Sequence, residues 1–83
     1  MVKKITIYTT TQCASCGMVK RYLDFKGMKY ELINVDEEPG RRAEAIDVSG
    51  GAQTVPITVV TKADDSQSVV VGYNLQQLAP ALT

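Results

Sequence analysis

The sequence predicts an α/β fold in the order βαβαββα, a four-stranded mixed sheet flanked by three helices, and three observations carry that reading. Ile5 and Ile7 alternate with Thr6 and Tyr8, the period of a strand with unlike faces. Directly afterwards, Cys13-Ala14-Ser15-Cys16 opens a stretch of helical spacing, so that strand, turn and helix follow one another. Near the end, two β-rich runs joined by a short polar loop imply an antiparallel pair, whereas the earlier strand–helix–strand stretch implies a parallel crossover. With 83 residues the chain has material for a single small domain spanning residues 1–83, since folding at this size removes only about 60–65% of the surface from water.

The first strand runs from Lys3 to Thr9, and the polar turn Thr9-Thr10-Thr11-Gln12 leads to a helix that begins at the cysteines. Along it Met18, Tyr22 and Phe25, with Val19 and Leu23, recur at helical spacing until Gly27 supplies a stop. Met18 and Met28 read as core or loop fillers. Tyr30 to Val35 is the second strand. Asp36 then offers an N-cap, with Glu37 and Glu38 in the first turn of a short helix that lasts to about Val48 and ends at Gly50-Gly51. Pro56 to Thr61 reads as the third strand, Lys62 to Gln67 as a hairpin loop and Ser68 to Val71 as the fourth strand. Leu75, Leu78, Ala79 and Leu82 then mark the core stripe of a last helix with Asn74 as its N-cap.

Nine Lys plus Arg balance nine Asp plus Glu, and the longest block of like charge is Asp36-Glu37-Glu38. Bulk electrostatics therefore gives no hold on nucleic acid or on an anionic membrane, and partners must be recognised locally. The absence of histidine removes the commonest general base, the Ser–His and Cys–His pairs and the commonest metal ligand together. No apolar run has the form of a signal-peptide core or the length of a bilayer span, so a cytoplasmic location is expected. In a reducing cytosol two cysteines serve catalysis or metal binding more often than they serve as a structural staple.

Cys13-Ala14-Ser15-Cys16 is the strong motif because of where it stands. A cysteine at a helix N-terminus faces unpaired N–H groups and the positive end of the helix dipole, which favour its thiolate and lower its pKa below that of a free thiol. Cys13 is therefore expected to attack. Cys16, one turn on and more buried, is expected to displace the partner from a mixed disulfide. Three other readings compete. A structural disulfide closing so short a loop would constrain the unfolded chain little; a zinc half-site would need further ligands from carboxylates, a second subunit or an exogenous thiol; and two ordinary buried cysteines fit the turn-to-helix position poorly. Thr54-Val55-Pro56 is a second signal, a proline placed where it can start a strand without removing a ladder hydrogen bond.

A CxxC that opens the first helix of a βαβαββα chain, then Thr54-Val55-Pro56, then Gly72-Tyr73-Asn74 before the last helix, resembles the glutaredoxin branch of the thioredoxin fold, over the whole chain. Within it, Ile7-Tyr8-Thr9, the CxxC, Tyr30 to Pro39 and Val71-Gly72-Tyr73-Asn74 are most similar to NrdH-type redoxins. The resemblance implies a cis Val55–Pro56 bond beside Cys13, with the Val55 backbone pairing to an extended substrate segment, and Gly72, Tyr73 and Asn74 bordering the site. Gln12 is a candidate contact to substrate backbone or simply faces solvent, and Tyr8 and Tyr73 are candidates for an apolar rim, although a tyrosine at a strand end more often serves packing. Arg41 and Arg42 read as a solvated face far from the cysteines.

The implied activity is that of a monomeric dithiol–disulfide oxidoreductase acting on protein disulfides, with ribonucleotide reductase the substrate the resemblance suggests and no bound cofactor. Glutathione-dependent deglutathionylation and an iron–sulfur or metal carrier are the alternatives. Several departures from glutaredoxins bear on the electron donor. The usual lysine before the CxxC is replaced by Thr9-Thr10-Thr11-Gln12, the Pro-Tyr between the cysteines by Ala14-Ser15, and the Gly-Gly with a following Asp by Gly72-Tyr73-Asn74. NADPH electrons delivered by a thioredoxin-reductase-type flavoenzyme fit these departures better than electrons from glutathione. Strand one also lacks the acidic residue that thioredoxins bury there, so water or the partner must take the Cys16 proton.

Overall fold

The computed structural model describes residues 2–51 and 55–82. Its elements follow as β1 (Val2–Thr9), α1 (Ala14–Phe25), β2 (Glu31–Asn34), α2 (Arg42–Val48), β3 (Ile57–Lys62), β4 (Gln67–Val71) and α3 (Leu75–Ala81), with a 3-10 turn at Pro39–Arg41 leading into α2. The sheet order is β2-β1-β3-β4; β1 runs parallel to β2, and the other neighbours are antiparallel.

Alternation along the strands sorts the core into two layers. Ile5 and Ile7 join Val60 and Val70 beneath Val19 and Leu23 of α1 and Leu78 and Ala81 of α3. On the other face Tyr8, Ile33, Val35, Ile57 and Val59 pack around Ala45 of α2. Helices thus cover both faces of the sheet, which is why β3 is buried continuously from Ile57 to Val60. Thr58 stands in that run fully buried, and its hydroxyl has no partner among the described residues. An unpaired buried hydroxyl costs free energy that a methyl group of the same shape does not. Thr58→Val is therefore expected to stabilise the fold by about 1 kcal/mol and to raise Tm by about 4–8 °C. Thermal unfolding measures this, and an unchanged or lower Tm would contradict it.

Three expectations change in detail. The helix after β2 does not start at Asp36, because Pro39 keeps the residue before it out of the helical region: Glu38 has φ −126° and ψ 71°, and helical backbone begins only at the proline. The apolar stripe of α1 splits in two. Cys16, Val19 and Leu23 face the sheet, whereas Met18 is 46% exposed and Phe25 85% exposed, because Phe25 stands about 200° around the helix from Leu23. In α3 the buried residues are Leu78 and Ala81, and Leu75 is 40% exposed. The C-terminus of α1 and the N-terminus of α3 are as the sequence suggests. Gly27, at φ 71°, closes α1 with the Met28 N–H on the Leu23 carbonyl at 3.0 Å, and the Asn74 side chain accepts the Gln76 N–H at 3.1 Å.

Candidate active site

Strand register gathers the candidate residues at one end of the sheet. Thr9 pairs with Asn34, Tyr8 with Ile57 and Ile57 with Val71, so the segments leading to Cys13, Asp36, Val55-Pro56 and Gly72 all leave or enter at that end. The Val55–Pro56 peptide is cis, as the resemblance implies, and the Pro56 carbonyl accepts the Gly72 N–H at 2.7 Å. Gly72 takes φ 78°, a conformation that favours glycine, and turns the chain into Tyr73, Asn74 and α3. Thr54 lies outside the described residues. Gln12 is exposed, and its carbonyl accepts the Thr10 hydroxyl at 3.3 Å.

Cys13 and Cys16 are joined in a disulfide, with Cα atoms 5.3 Å apart. Cys13 is the N-cap of α1, and its Sγ accepts the Cys16 backbone N–H at 3.1 Å. The two sulfurs differ in access: Cys13 is half-buried, whereas Cys16 is 3% exposed. An accessible sulfur that takes a helix N-terminal N–H is the one suited to hold negative charge and meet a partner. Among the described residues no group of three or more His, Cys, Asp or Glu stands close enough to hold a metal ion.

The loop before Cys13 is anchored by residues whose role the sequence did not disclose. Asp36 accepts the Thr11 N–H at 3.1 Å and the Arg42 guanidinium at 3.0 Å. Asn34 accepts the Asp36 and Glu37 N–H groups and reaches the Thr11 hydroxyl at 3.5 Å. Arg42 is therefore not simply a solvated residue but one hydrogen bond removed from the cysteine loop. The available signal was the parallel pairing of β1 with β2, which brings residue 34 beside residue 9 and the turn after it beside the turn before Cys13.

Tyr73 is half-buried next to Gly72 and packs against the core cluster that includes Ile5, Ile7 and Leu78. Tyr8 is not at the rim. It is buried on the α2 face, where its hydroxyl donates to Glu44, which also takes the Arg41 guanidinium at 3.0 Å. Burial and the Glu44 carboxylate push the Tyr8 phenol up to about 12, while the bonds from Tyr8 and Arg41 hold Glu44 below the usual carboxylate range. The folded chain thus keeps a proton that the unfolded chain releases near 10, so Tyr8's contribution is whole below pH 10 and is lost as pH rises through about 12. Subtracting the ultraviolet titration of Tyr8→Phe from that of the wild type should give a tyrosinate step centred near 12; a step near 10 would refute the contact.

A family model described as glutaredoxin matches residues 5–63. The glutaredoxin-like protein NrdH of Escherichia coli (strain K12) is 39% identical over 56 residues, which are 68% of this chain and 67% of that one. The glutaredoxin-like protein NrdH of Lactococcus lactis subsp. lactis (strain IL1403) is 32% identical over 75 residues, 90% of this chain and 94% of that one. Among solved structures, the NrdH-redoxin from Escherichia coli, described as glutaredoxin-like with a thioredoxin-like activity profile, matches with a TM-score of 0.76 at 28% identity. That match spans 94% of this chain and 93% of that one. The glutaredoxin of Archaeoglobus fulgidus shares the fold, with a TM-score of 0.77 at 24% identity over 95% of this chain and 85% of that one. Four mixed strands with three helices make this the thioredoxin fold. No helix among the described residues is long and apolar enough to cross a membrane.

Proposed function

The chain belongs to the glutaredoxin family, with NrdH glutaredoxin-like proteins among its relatives, and is a thiol–disulfide oxidoreductase; from that premise we propose that it reduces disulfides in partner proteins by two-cysteine exchange, with electrons from a thioredoxin-reductase-type flavoenzyme. In the reduced state the Cys13 thiolate attacks one sulfur of the substrate disulfide. A Cys13–substrate disulfide forms, and the other substrate sulfur leaves as thiolate and takes a proton from water. Cys16 gives its proton to water or the partner and attacks Cys13, which releases the second substrate thiol and leaves Cys13–Cys16 oxidised. Two electrons have then passed to the substrate, and the reductase returns two to the pair.

The observation that carries this reading is the asymmetry of the pair: the Cys16 N–H reaches Cys13 Sγ at 3.1 Å, Cys13 is accessible and Cys16 is buried behind it. The donor assignment rests on Gly72-Tyr73-Asn74 and Thr9-Thr10-Thr11-Gln12, which replace residues that glutaredoxins direct at glutathione. The thioredoxin-like activity profile of the Escherichia coli NrdH-redoxin supports it by analogy. Ribonucleotide reductase is the protein substrate that the resemblance to NrdH-type redoxins nominates. The test is NADPH consumption with a model disulfide, with thioredoxin reductase as donor in one assay and glutathione with glutathione reductase in the other. Turnover with thioredoxin reductase is expected; turnover with glutathione alone would overturn the donor assignment.

A further inference from the structure

The chain is neutral overall, yet its charge is divided between the two faces of the sheet. Residues 13–29, which include α1, carry Lys20, Arg21, Lys26 and Lys29 against a single acid, Asp24. Residues 31–47, which include α2, carry six acids against Arg41 and Arg42. The ion pairs follow the same division. Arg41 is matched by Glu38 and Glu44, and Arg42 by Asp36. Lys20, Arg21, Lys26 and Lys29 make no ion pair among the described residues, and Lys26 lies 5.7 Å from the centre of the Tyr22 ring.

On that cationic side Met18, Arg21 and Tyr22 of α1 face Tyr73 across a groove of about 260 Å³. Met18 and Phe25 stand exposed along the helix on either side of the half-buried Tyr22, which packs against the core, and Phe25 is the most exposed large apolar side chain among the described residues. The groove begins close to the dithiol. Met18 and Arg21 stand five and eight residues beyond Cys13, or about 8–12 Å along the helix axis, which is the reach of two to four residues of extended chain. Its far wall, Tyr73, follows the Gly72 whose N–H is bonded to the Pro56 carbonyl.

Building on the reading that this protein reduces protein disulfides, we propose that the groove selects its substrate: it takes a segment bearing an apolar side chain and an acidic residue two to four positions from the reactive cysteine. The apolar group packs between Met18, Tyr22 and Tyr73, and the carboxylate meets Arg21, with Lys20 and Lys26 adding to the field. Free cations beside an apolar groove attract such a segment and repel its basic counterpart, so the discrimination is electrostatic and depends on salt. The α2 face, whose cations are already paired within the chain, has no such preference to offer.

The test uses the full-length reduced protein and three disulfide-linked peptides that share a leucine near the cysteine and differ in one neighbour, Asp, Asn or Lys, placed in turn on either side. Rates are followed by acid quench and mass spectrometry, with hydroxyethyl disulfide as an uncharged substrate too small to reach the groove. At low salt the Asp peptide should react about fivefold faster than the Lys peptide, with Asn between, and the spread should shrink as salt is raised. Arg21→Glu, a change on an exposed helix face, should reverse the order and leave hydroxyethyl disulfide unaffected, while Arg21→Gln should flatten it. Met18→Ala should slow all three peptides without changing their order. Equal rates for the three peptides, or an order that survives Arg21→Glu, would overturn the proposal. Loss of hydroxyethyl disulfide reduction by the wild type would instead overturn the disulfide-reductase reading beneath it.

Discussion

Cys13→Ser should lower the reduction of protein disulfides by roughly three orders of magnitude or more, because a serine hydroxyl supplies no thiolate and the first bond to the substrate is never made. Cys16→Ser should behave differently. Its Cys13 keeps the helix N-terminus and the backbone N–H that points at the sulfur, because the donor at 3.1 Å is the residue-16 amide and not its side chain. That variant should still attack, and then stall as a covalent mixed disulfide that non-reducing electrophoresis or intact mass detects. Burial of Cys16 at 3% exposure limits the replacement's own contact with solvent and partner, so release of the trapped substrate should require an added thiol. Turnover retained by Cys13→Ser and lost by Cys16→Ser would invert the assignment of the two sulfurs.

The asymmetry behind this prediction was legible in the sequence because it depends on local structure alone: a strand, a polar turn and a CxxC fix which cysteine caps the helix. The same holds for Asn74 at the start of α3, since a cap is a matter of three consecutive residues. What could not be read depends on contacts between distant segments. Asp36 has the composition of an N-cap, but Pro39 displaces the helix start, and the freed carboxylate bonds to Thr11, 25 positions earlier in the chain. Tyr8 alternates correctly out of the Ile5 and Ile7 face, yet only the packing of α2 shows that its hydroxyl is taken by Glu44 and is not offered to a partner. The free cations of α1 were visible as letters from the start. Their meaning required knowing that Arg41 and Arg42 are paired within the chain and that Arg21 borders a groove.

Leu23→Ala and Phe25→Ala should separate the two apolar stripes of α1 by stability. Leu23 is fully buried with Ile5, Ile7, Val19, Val60, Val70 and Leu78, the cluster that fastens α1 and α3 to the sheet. Truncating it removes apolar contact from both helices at once and leaves a cavity that the β-sheet floor cannot close, because β1 and β3 are held by their ladder. The expected cost is about 3 kcal/mol, a Tm lower by about 12–24 °C. That is a large share of the stability of a chain this short, about 4–12 kcal/mol in all. Phe25 is the larger side chain and lies only two residues away, but at 85% exposure its truncation should change stability by less than about 0.5 kcal/mol. Chemical denaturation of both variants measures the difference directly. Comparable losses would show that Phe25 packs against the fold and does not stand exposed beside the groove, whereas the expected contrast leaves it free for a partner.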